Sequence, residues 1–503
     1  MAVSAGLTLT LLISIAVTIC HQEEAPPKKI AVVGAGIGGS SATYFLRREF
    51  GHNVKIDVYE KGTIGGRLAT VTVNGQQYEI GGSVIHPLNL HMQDFVKQLV
   101  FPLSVSVQGL KQRKGIPEKL AIFNGEQFVF EETDWYLQDL FKMWWRYGFG
   151  LLRLQMWVEE ILEKFMRIYK YQAHGYAFST VEEMLQSLGG DRFINMTRRS
   201  VTETLQELGV SQRFIDEIVT AVMRVNYGQS ATIPAFVGAV SMAGIQAGLW
   251  AVEGGNKLVC SRLLDATKAH VTHATVTSIS LHHSGDKSLY QVKYENEEEG
   301  GYDFYDIVVI ATPLHRETTN ITFSGLTPPV TDFPGHYQHM IVSVVHGYLN
   351  SSYFGFPDPK LFPFAAILTT ENPKLFMFST ASICPVNITS NYRRKQPQEA
   401  AVWKVFSPSP LTKEQLKTLF LSYYSVQVTD WLAYPQYVSV KGIPPIILHD
   451  NLYYLNGMEW TASAMEICTI AAKNVALLAY NRWNQQLDKI DQKDLVHKIK
   501  TEL

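Results

Sequence analysis

Cysteine is scarce. Of 503 residues only Cys20, Cys260, Cys384 and Cys468 are cysteines, and none has a metal-like spacing to another. A disulfide-stapled scaffold and a thiolate metal centre are thereby excluded, leaving buried thiols or at most one bridge. An excess of one charge is also lacking: 44 Lys and Arg face 46 Asp and Glu, a net of −2, so nothing electrostatic points to nucleic acid. No catalytic triad stands out. The apolar run from Gly6 to Ile19 falls short of the roughly 20 residues that span a bilayer. Followed directly by Cys20-His21-Gln22-Glu23-Glu24, it has the form of a signal-peptide core, predicting a leader over residues 1–22.

What is present is a chain 46% apolar and long enough for two or three domains. Lys29-Ile30-Ala31-Val32-Val33 reads as a buried strand, Gly34-Ala35-Gly36-Ile37-Gly38-Gly39 as a tight turn and Ser40 to Glu49 as a helix. A second strand, Val54 to Tyr59, ends on Glu60. This is the dinucleotide-binding βαβ unit. Gly34 supplies the turn, Gly36 the close approach to a pyrophosphate and Gly39 the tight packing of helix on strand. Glu60 is placed to accept from a ribose diol, and its charge disfavours a 2′-phosphate.

Further glycines extend the site. Gly65-Gly66-Arg67 forms a loop aimed at a second phosphate or the ring beyond it, and Gly81-Gly82-Ser83-Val84-Ile85-His86-Pro87 closes a strand with another backbone approach. NAD does not need these stations. A longer cofactor such as FAD, stretched through the protein, uses them. Asp303 to Pro313 reads as one buried strand ended by its proline. Gly457-Met458-Glu459 leads into a helix over Ala462 to Tyr480 whose N-terminus can meet a flavin's pyrimidine edge.

These motifs together resemble the flavin amine oxidase and protoporphyrinogen oxidase superfamily. Within it the chain is similar to the prenylcysteine oxidase family along nearly its whole mature length. The most telling stretches are Gly81 to Met92, Phe165-Met166-Arg167-Ile168-Tyr169, Arg224 to Ser230 and Leu249 to Cys260. Tyr348 to Pro357 and Leu487 to Lys493 are more similar to the family's prenylcysteine oxidase-like branch. The resemblance implies an α/β fold: a discontinuous Rossmann-type FAD-binding domain over residues 28–100, 245–315 and 446–482. Helical and mixed α+β insertions over residues 101–244 and 316–445 form the substrate side, and 483–503 is a C-terminal tail whose last four residues, the KDEL-like Lys500-Thr501-Glu502-Leu503, read as solvated.

The implied chemistry is oxidation of a prenylcysteine at the carbon attached to sulfur, with dioxygen as acceptor and water completing the cleavage. That carbon is allylic as well, so hydride loss leaves a cation shared by sulfur and the double bond, and no strong base is needed. The residues expected at FAD are Gly34, Gly36, Gly39, Glu60, Gly66, Arg67, Gly81, Gly82, Ser83, Gly457 and Glu459. His86 is the candidate for activating water or orienting substrate, and Glu253 and Trp460 are weaker ones; Cys468 raises a covalent flavin link, with a packed thiol the first expectation, and no metal is expected. An amine oxidase and a secreted flavoprotein or lipid binder without turnover are the alternatives.

Trp135 to Tyr147, broken at Gly148-Phe149-Gly150 and continued from Leu151 to Tyr171, is rich in Trp, Phe and Met. Core packing is the first expectation for its aromatics, with a prenyl tunnel or a peripheral membrane or lipoprotein contact as alternatives. Sequons at Asn195, Asn320, Asn350 and Asn387 predict a glycoprotein, secreted or, as the resemblance also implies, lysosomal.

Overall fold

The computed structural model describes residues 25–501 except 100–109, 115–118, 245–247, 286, 316, 318, 331–334, 389–391, 397 and 438–441. The leader expected over residues 1–22 lies outside the described residues. Lys29–Val33 is apolar after its first position, as a strand covered on both faces must be. It sits inside a six-stranded sheet ordered Ile447–His449, Leu452–Tyr454, Ile307–Ile310, Lys29–Val33, Lys55–Glu60 and His270–His273. All neighbours run parallel except the first pair. Three stretches distant in sequence thus meet in one sheet.

The helices that shape the site are α1 (Ile37–Phe50), α2 (Leu90–Gln98), α3 (Tyr136–Tyr147), α4 (Gly150–Phe165), α5 (Arg167–Ala173) and α6 (Met465–Trp483). α1 packs on the sheet and α6 packs on α1. Small residues permit this closeness: Gly38, Gly39, Ser40, Ser41 and Ala42 on α1 are all buried, as are Ala471, Ala472, Ala476 and Ala479 on α6.

A seven-stranded sheet forms the other large layer, in the order Phe420–Pro435, Tyr337–Leu349, Ala401–Ser407, Ser379–Ser382, Phe364–Thr369, Lys119–Phe123 and Phe128–Glu131. Between Tyr136 and Ala243 every element is a helix. A four-stranded sheet, Gly300–Tyr305, Lys287–Glu295, Thr275–Ser284 and Thr322–Ser324, and two two-stranded ones, Thr70–Val73 with Gln76–Glu79 and Gln112–Lys114 with Trp250–Val252, are also present.

The C-terminal tail packs against the rest of the chain where it is described: Leu495 and Ile499 are buried, and Asp491 accepts from Ser179. Two expectations change. The stretch from Asp303 is two strands, not one. Asp306 divides Gly300–Tyr305 from Ile307–Ile310, and its carboxylate accepts from the Lys28 and Lys29 N–H groups at 2.8 and 2.9 Å. The aromatics of α3, expected in the core, face outward: Phe141, Trp144 and Trp145 are exposed. Periodicity marks a helix's apolar stripe but not what covers it.

Candidate active site

The glycine turn and Glu60 build one end of a cavity of about 1320 Å³. Gly34 takes a φ of +106° and its N–H donates to Tyr59 O at 2.7 Å, turning the chain from strand into α1. A Cβ on Gly39 would lie 1.8 Å from Gly34 O, whereas a Cβ on Gly36 would meet nothing closer than Gly65 O at 3.7 Å. Gly39 is therefore needed for packing, and Gly36 for the space before it. Glu60 accepts from Ala35 N–H at 2.7 Å and from Gly62 N–H at 2.8 Å. Its remaining lone pairs still face the cavity.

Arg67 stands further along the wall. Its guanidinium donates to Ala433 O at 2.5 Å and forms an ion pair with Glu459. Glu459 is buried and accepts in addition from Tyr337 OH (3.2 Å), Asn456 Nδ2 (3.2 Å) and Ser463 Oγ (3.0 Å). A carboxylate with four donors, one charged, is held in a single orientation and fixes Arg67 in turn.

The far end has two unlike sides. Arg113 donates to Pro385 O at 3.0 Å, Arg394 donates to Ser382 O, and Lys404 Nζ donates to Glu79 O at 3.4 Å. Arg113 and Arg394 are thus anchored on Ser382–Pro385 and Lys404 on Glu79, and all three line the cavity. The same cavity is lined by Leu162, Phe165 and Met166 from α4 and its C-terminus, with Val225, Val240 and Leu368, which give it an apolar wall. Glu466, in the first turn of α6, is buried and accepts from His91 N–H (2.7 Å), Met92 N–H (3.0 Å) and Tyr169 OH (2.7 Å). Burial pushes it up to about 7 against those three donors.

A family model described as prenylcysteine lyase matches residues 130–492, and one for an NAD(P)-binding Rossmann-like domain matches residues 32–99. A Mus musculus protein named prenylcysteine oxidase 1-like is 62% identical over 498 residues, covering 98% of this chain and 99% of its own. A Homo sapiens protein of the same name is 64% identical over 482 residues, covering 95% and 96%. A Bos taurus prenylcysteine oxidase 1 is 51% identical over 503 residues, covering 99% and 97%. The chain belongs to the prenylcysteine oxidase family. Among solved structures, a redesigned putrescine oxidase matches with a TM-score of 0.57 at 13% identity, covering 90% of this chain and 99% of its own. Cyclohexylamine oxidase from Brevibacterium oxydans matches at 0.52 and 15%, covering 92% and 100%. At that identity the likeness is one of fold.

The walls fit the flavin that membership of the prenylcysteine oxidase family implies. Among the described residues, Asn456 Oδ1 and Glu79 Oε2 are buried acceptors with no hydrogen-bond partner, and both residues line the cavity. Ring N–H and ribityl hydroxyl groups are the donors that such orphaned atoms require. Of the residues expected from sequence, Gly34, Gly36, Glu60, Gly66, Arg67, Gly81, Gly82, Ser83 and His86 line the cavity together. Gly39, Gly457 and Glu459 stand behind the wall: Gly39 against the glycine turn, Gly457 against Pro444 and Glu459 beneath Arg67. His86 Nδ1 accepts from Leu88 N–H at 3.0 Å, so the proton sits on Nε2. Cys468 lines the cavity too, and burial pushes its thiol up to about 12, which keeps it from acting as a nucleophile. Cys260 and Cys384 are likewise free thiols.

Sequence reasoning missed Arg113, Arg394, Lys404 and Glu466. The three cations come from distant stretches with no shared motif and meet only through sheet register. Glu466 left a usable sign, as an acid opening the helix that follows Gly457-Met458-Glu459. The structure also gathers His315, Glu317 and His336, with ligand atoms within 4.8 Å of one another; Glu317 already accepts from His336 Nδ1 at 3.1 Å.

Proposed function

We propose that the protein is an FAD-dependent thioether oxidase. It cleaves farnesyl- or geranylgeranyl-L-cysteine, using dioxygen and water, to free cysteine, a prenyl aldehyde and hydrogen peroxide, in the breakdown of prenylated proteins. The carrying observation is that one cavity joins three chemistries: a dinucleotide end, a cationic corner and an apolar wall. Its volume of about 1320 Å³ exceeds the roughly 300–1,000 Å³ of a usual single-ligand site, which leaves room for a substrate beside a cofactor. When bound, FAD supplies the acceptor for the hydride that leaves the carbon attached to sulfur.

The chain's own residues bind, orient and exclude. Glu60, Gly36 and the first turn of α1 hold the dinucleotide, while Gly66, Arg67, Gly81, Gly82 and Ser83 hold its inner part. Arg113, Arg394 and Lys404 hold the carboxylate of the amino acid. Leu162, Phe165 and Met166 cover the prenyl chain and keep water from it. His86, protonated on Nε2, orients the attacking water or the substrate instead of removing a proton.

This function is divided between the FAD-binding pieces 28–100, 245–315 and 446–482 and the substrate pieces 101–244 and 316–445. The chain enters the secretory pathway through its leader and is exported, with the lysosome as the alternative destination. Glycans are carried at Asn195, Asn320 and Asn387, which are exposed. Asn350 instead donates its amide to Thr418 O at 2.9 Å. A lipid surface, of a membrane or a lipoprotein, is a peripheral partner.

The test is the visible spectrum of the purified protein, recorded without oxygen before and after farnesylcysteine. Bleaching of the flavin band, with recovery in air and release of peroxide and prenyl aldehyde, is expected. A flavin that stays oxidised with farnesylcysteine and bleaches with an amine overturns the substrate; a protein that takes up no flavin overturns the enzyme. Farnesylcysteine methyl ester, which lacks the carboxylate charge, should show a KM about tenfold higher or more, the usual value of one charge-assisted hydrogen bond.

A further inference from the structure

Nineteen large apolar side chains are exposed among the described residues, and nine of them lie between Trp135 and Met156. They cover the outward face of α3, the turn after it and the first half of α4. Exposure is high: 73% for Trp135 and 77% for Trp145. A contiguous patch of this kind marks an interaction surface.

The polarity of α3 is reversed. Its buried residues are Asp139, Met143 and Tyr147, four apart on one face. Asp139 accepts from Thr133 N–H at 2.9 Å and Oγ1 at 2.8 Å, and Tyr147 OH donates to Glu217 at 2.7 Å. The helix therefore satisfies its polar groups inward and turns Phe141, Trp144 and Trp145 outward, the opposite of a helix that only covers a core.

Charge and size select the occupant. Within residues 135–158 the only acid is the buried Asp139, while Lys142, Arg146 and Arg153 are exposed. Glu217 neutralises Arg146 at 2.7 Å; Arg153 donates to the neutral carbonyl of Gly209 and keeps its charge. Trp and Tyr rings beside Lys and Arg match an anionic headgroup layer. α3, at 12 residues, is about 18 Å long against a hydrocarbon core of about 30 Å, and no described helix is long and apolar enough to cross a membrane. The hairpin lies on such a surface and does not span it.

We propose that the outward face of the α3–α4 hairpin docks the protein on an anionic phospholipid membrane, seated about 5–10 Å into the headgroup boundary. The proposal rests on the peripheral lipid contact put forward above and gives it a location and a charge preference. It also links dock to site along one helix. α4 begins in the patch with Leu152 and ends on the cavity wall with Leu162 and Phe165. A substrate whose prenyl chain dissolves in lipid is thus met where the cavity wall begins.

Flotation of the full flavin-loaded chain with vesicles tests this, using phosphatidylcholine with phosphatidylserine against phosphatidylcholine alone. The wild type should float with the anionic vesicles and only weakly with the neutral ones. Phe141→Ser/Trp145→Ser/Phe149→Ser should lose about tenfold or more of that binding, with farnesylcysteine turnover in detergent solution kept as evidence of folding. Lys142→Glu, a single surface change, should lose several-fold on anionic vesicles only. A triple variant that floats like the wild type overturns the dock while leaving a lipid contact elsewhere standing. Equal flotation on both vesicles overturns the charge preference. No flotation at all, with a dimer that the triple variant dissociates, assigns the face to a second copy of the chain.

Discussion

α6 and α3 are each about two-thirds apolar in sequence, yet α6 buries 13 of 19 residues and α3 only 3 of 12. The difference lies in side-chain volume. Alanines at 471, 472, 476 and 479 let α1 come close to α6, so that α6 is enclosed from several sides. The rings of Phe141, Trp144 and Trp145 instead need a broad partner, and no element among the described residues supplies one. Enclosure of a helix by its own protein calls for small residues; a wide aromatic face calls for something outside the chain.

The enclosed side is where substitution should matter most. Gly36→Val places a side chain in the space before α1. Gly36 has φ −71° and ψ −175°, which valine adopts without strain, and among the described residues a Cβ there meets only Gly65 O, at an ordinary 3.7 Å. The variant should fold with unchanged circular dichroism and carry no flavin absorbance, losing turnover altogether. Retention of bound flavin would show that the glycine turn does not face the cofactor. Next in size is Glu459→Ala, which strips Arg67 of its partner. Only Glu459 of the pair is buried, Arg67 being 34% exposed, so the loss should fall below the roughly 3–5 kcal/mol of a fully buried pair, read as a lower denaturation midpoint in urea; a midpoint within experimental scatter of the wild type would mean that solvent already serves Arg67.

Enclosure should also show in titration. Burial raises Glu466 to about 7 and lowers His91 to about 4, the latter against its bond to Gln172. A carboxyl raised on folding contributes stability that is fully present below its unfolded value near 4.5 and is lost as pH rises through 7. A histidine lowered on folding contributes stability present above 6.5 and lost as pH falls through 4. At about 1.4 kcal/mol per pKa unit, the two effects are each about 3 kcal/mol and of opposite sign across nearly the same window. Relative to the wild type, Glu466→Gln should lose stability progressively from pH 7 to pH 4, and His91→Gln should gain it. Thermal unfolding across that range checks both, and a variant curve merely displaced in parallel would refute the assignment for its residue.

The nucleotide end was legible because its motif is local. Gly34 to Glu60 carries turn, helix and acid within one βαβ unit, so each residue's role follows from neighbours in sequence. Local composition also marked Gly65-Gly66-Arg67 and Gly81-Gly82, which the fold sets on the same wall. It could not reveal that Arg113, Arg394 and Lys404 meet, because their meeting depends on how Ser379–Ser382 pairs with Ala401–Ser407. Nor could it separate Gly300–Tyr305 from Ile307–Ile310, since two successive apolar runs look alike until Asp306 is seen to bond the Lys28 and Lys29 N–H groups. The aromatics of α3 misled for a related reason. Whether a ring is covered depends on the rest of the chain, and its identity alone favours the core.

The sharpest form of the comparison is a pair of single substitutions, one on each helix. Ala476→Leu adds three carbons where exposure is 0%, against neighbours already in contact, and should cost about 1–3 kcal/mol by overpacking. Trp145→Ser removes a far larger side chain, but one that is 77% exposed and has almost no packing to lose. Its effect on stability in solution should stay within about 0.5 kcal/mol. The small addition thus outweighs the large deletion, as measured by urea unfolding of both variants without lipid. If Trp145→Ser were instead the more damaging of the two, its ring would be covered in solution by the protein itself or by a second copy, and the contrast between the helices would fail at its exposed end.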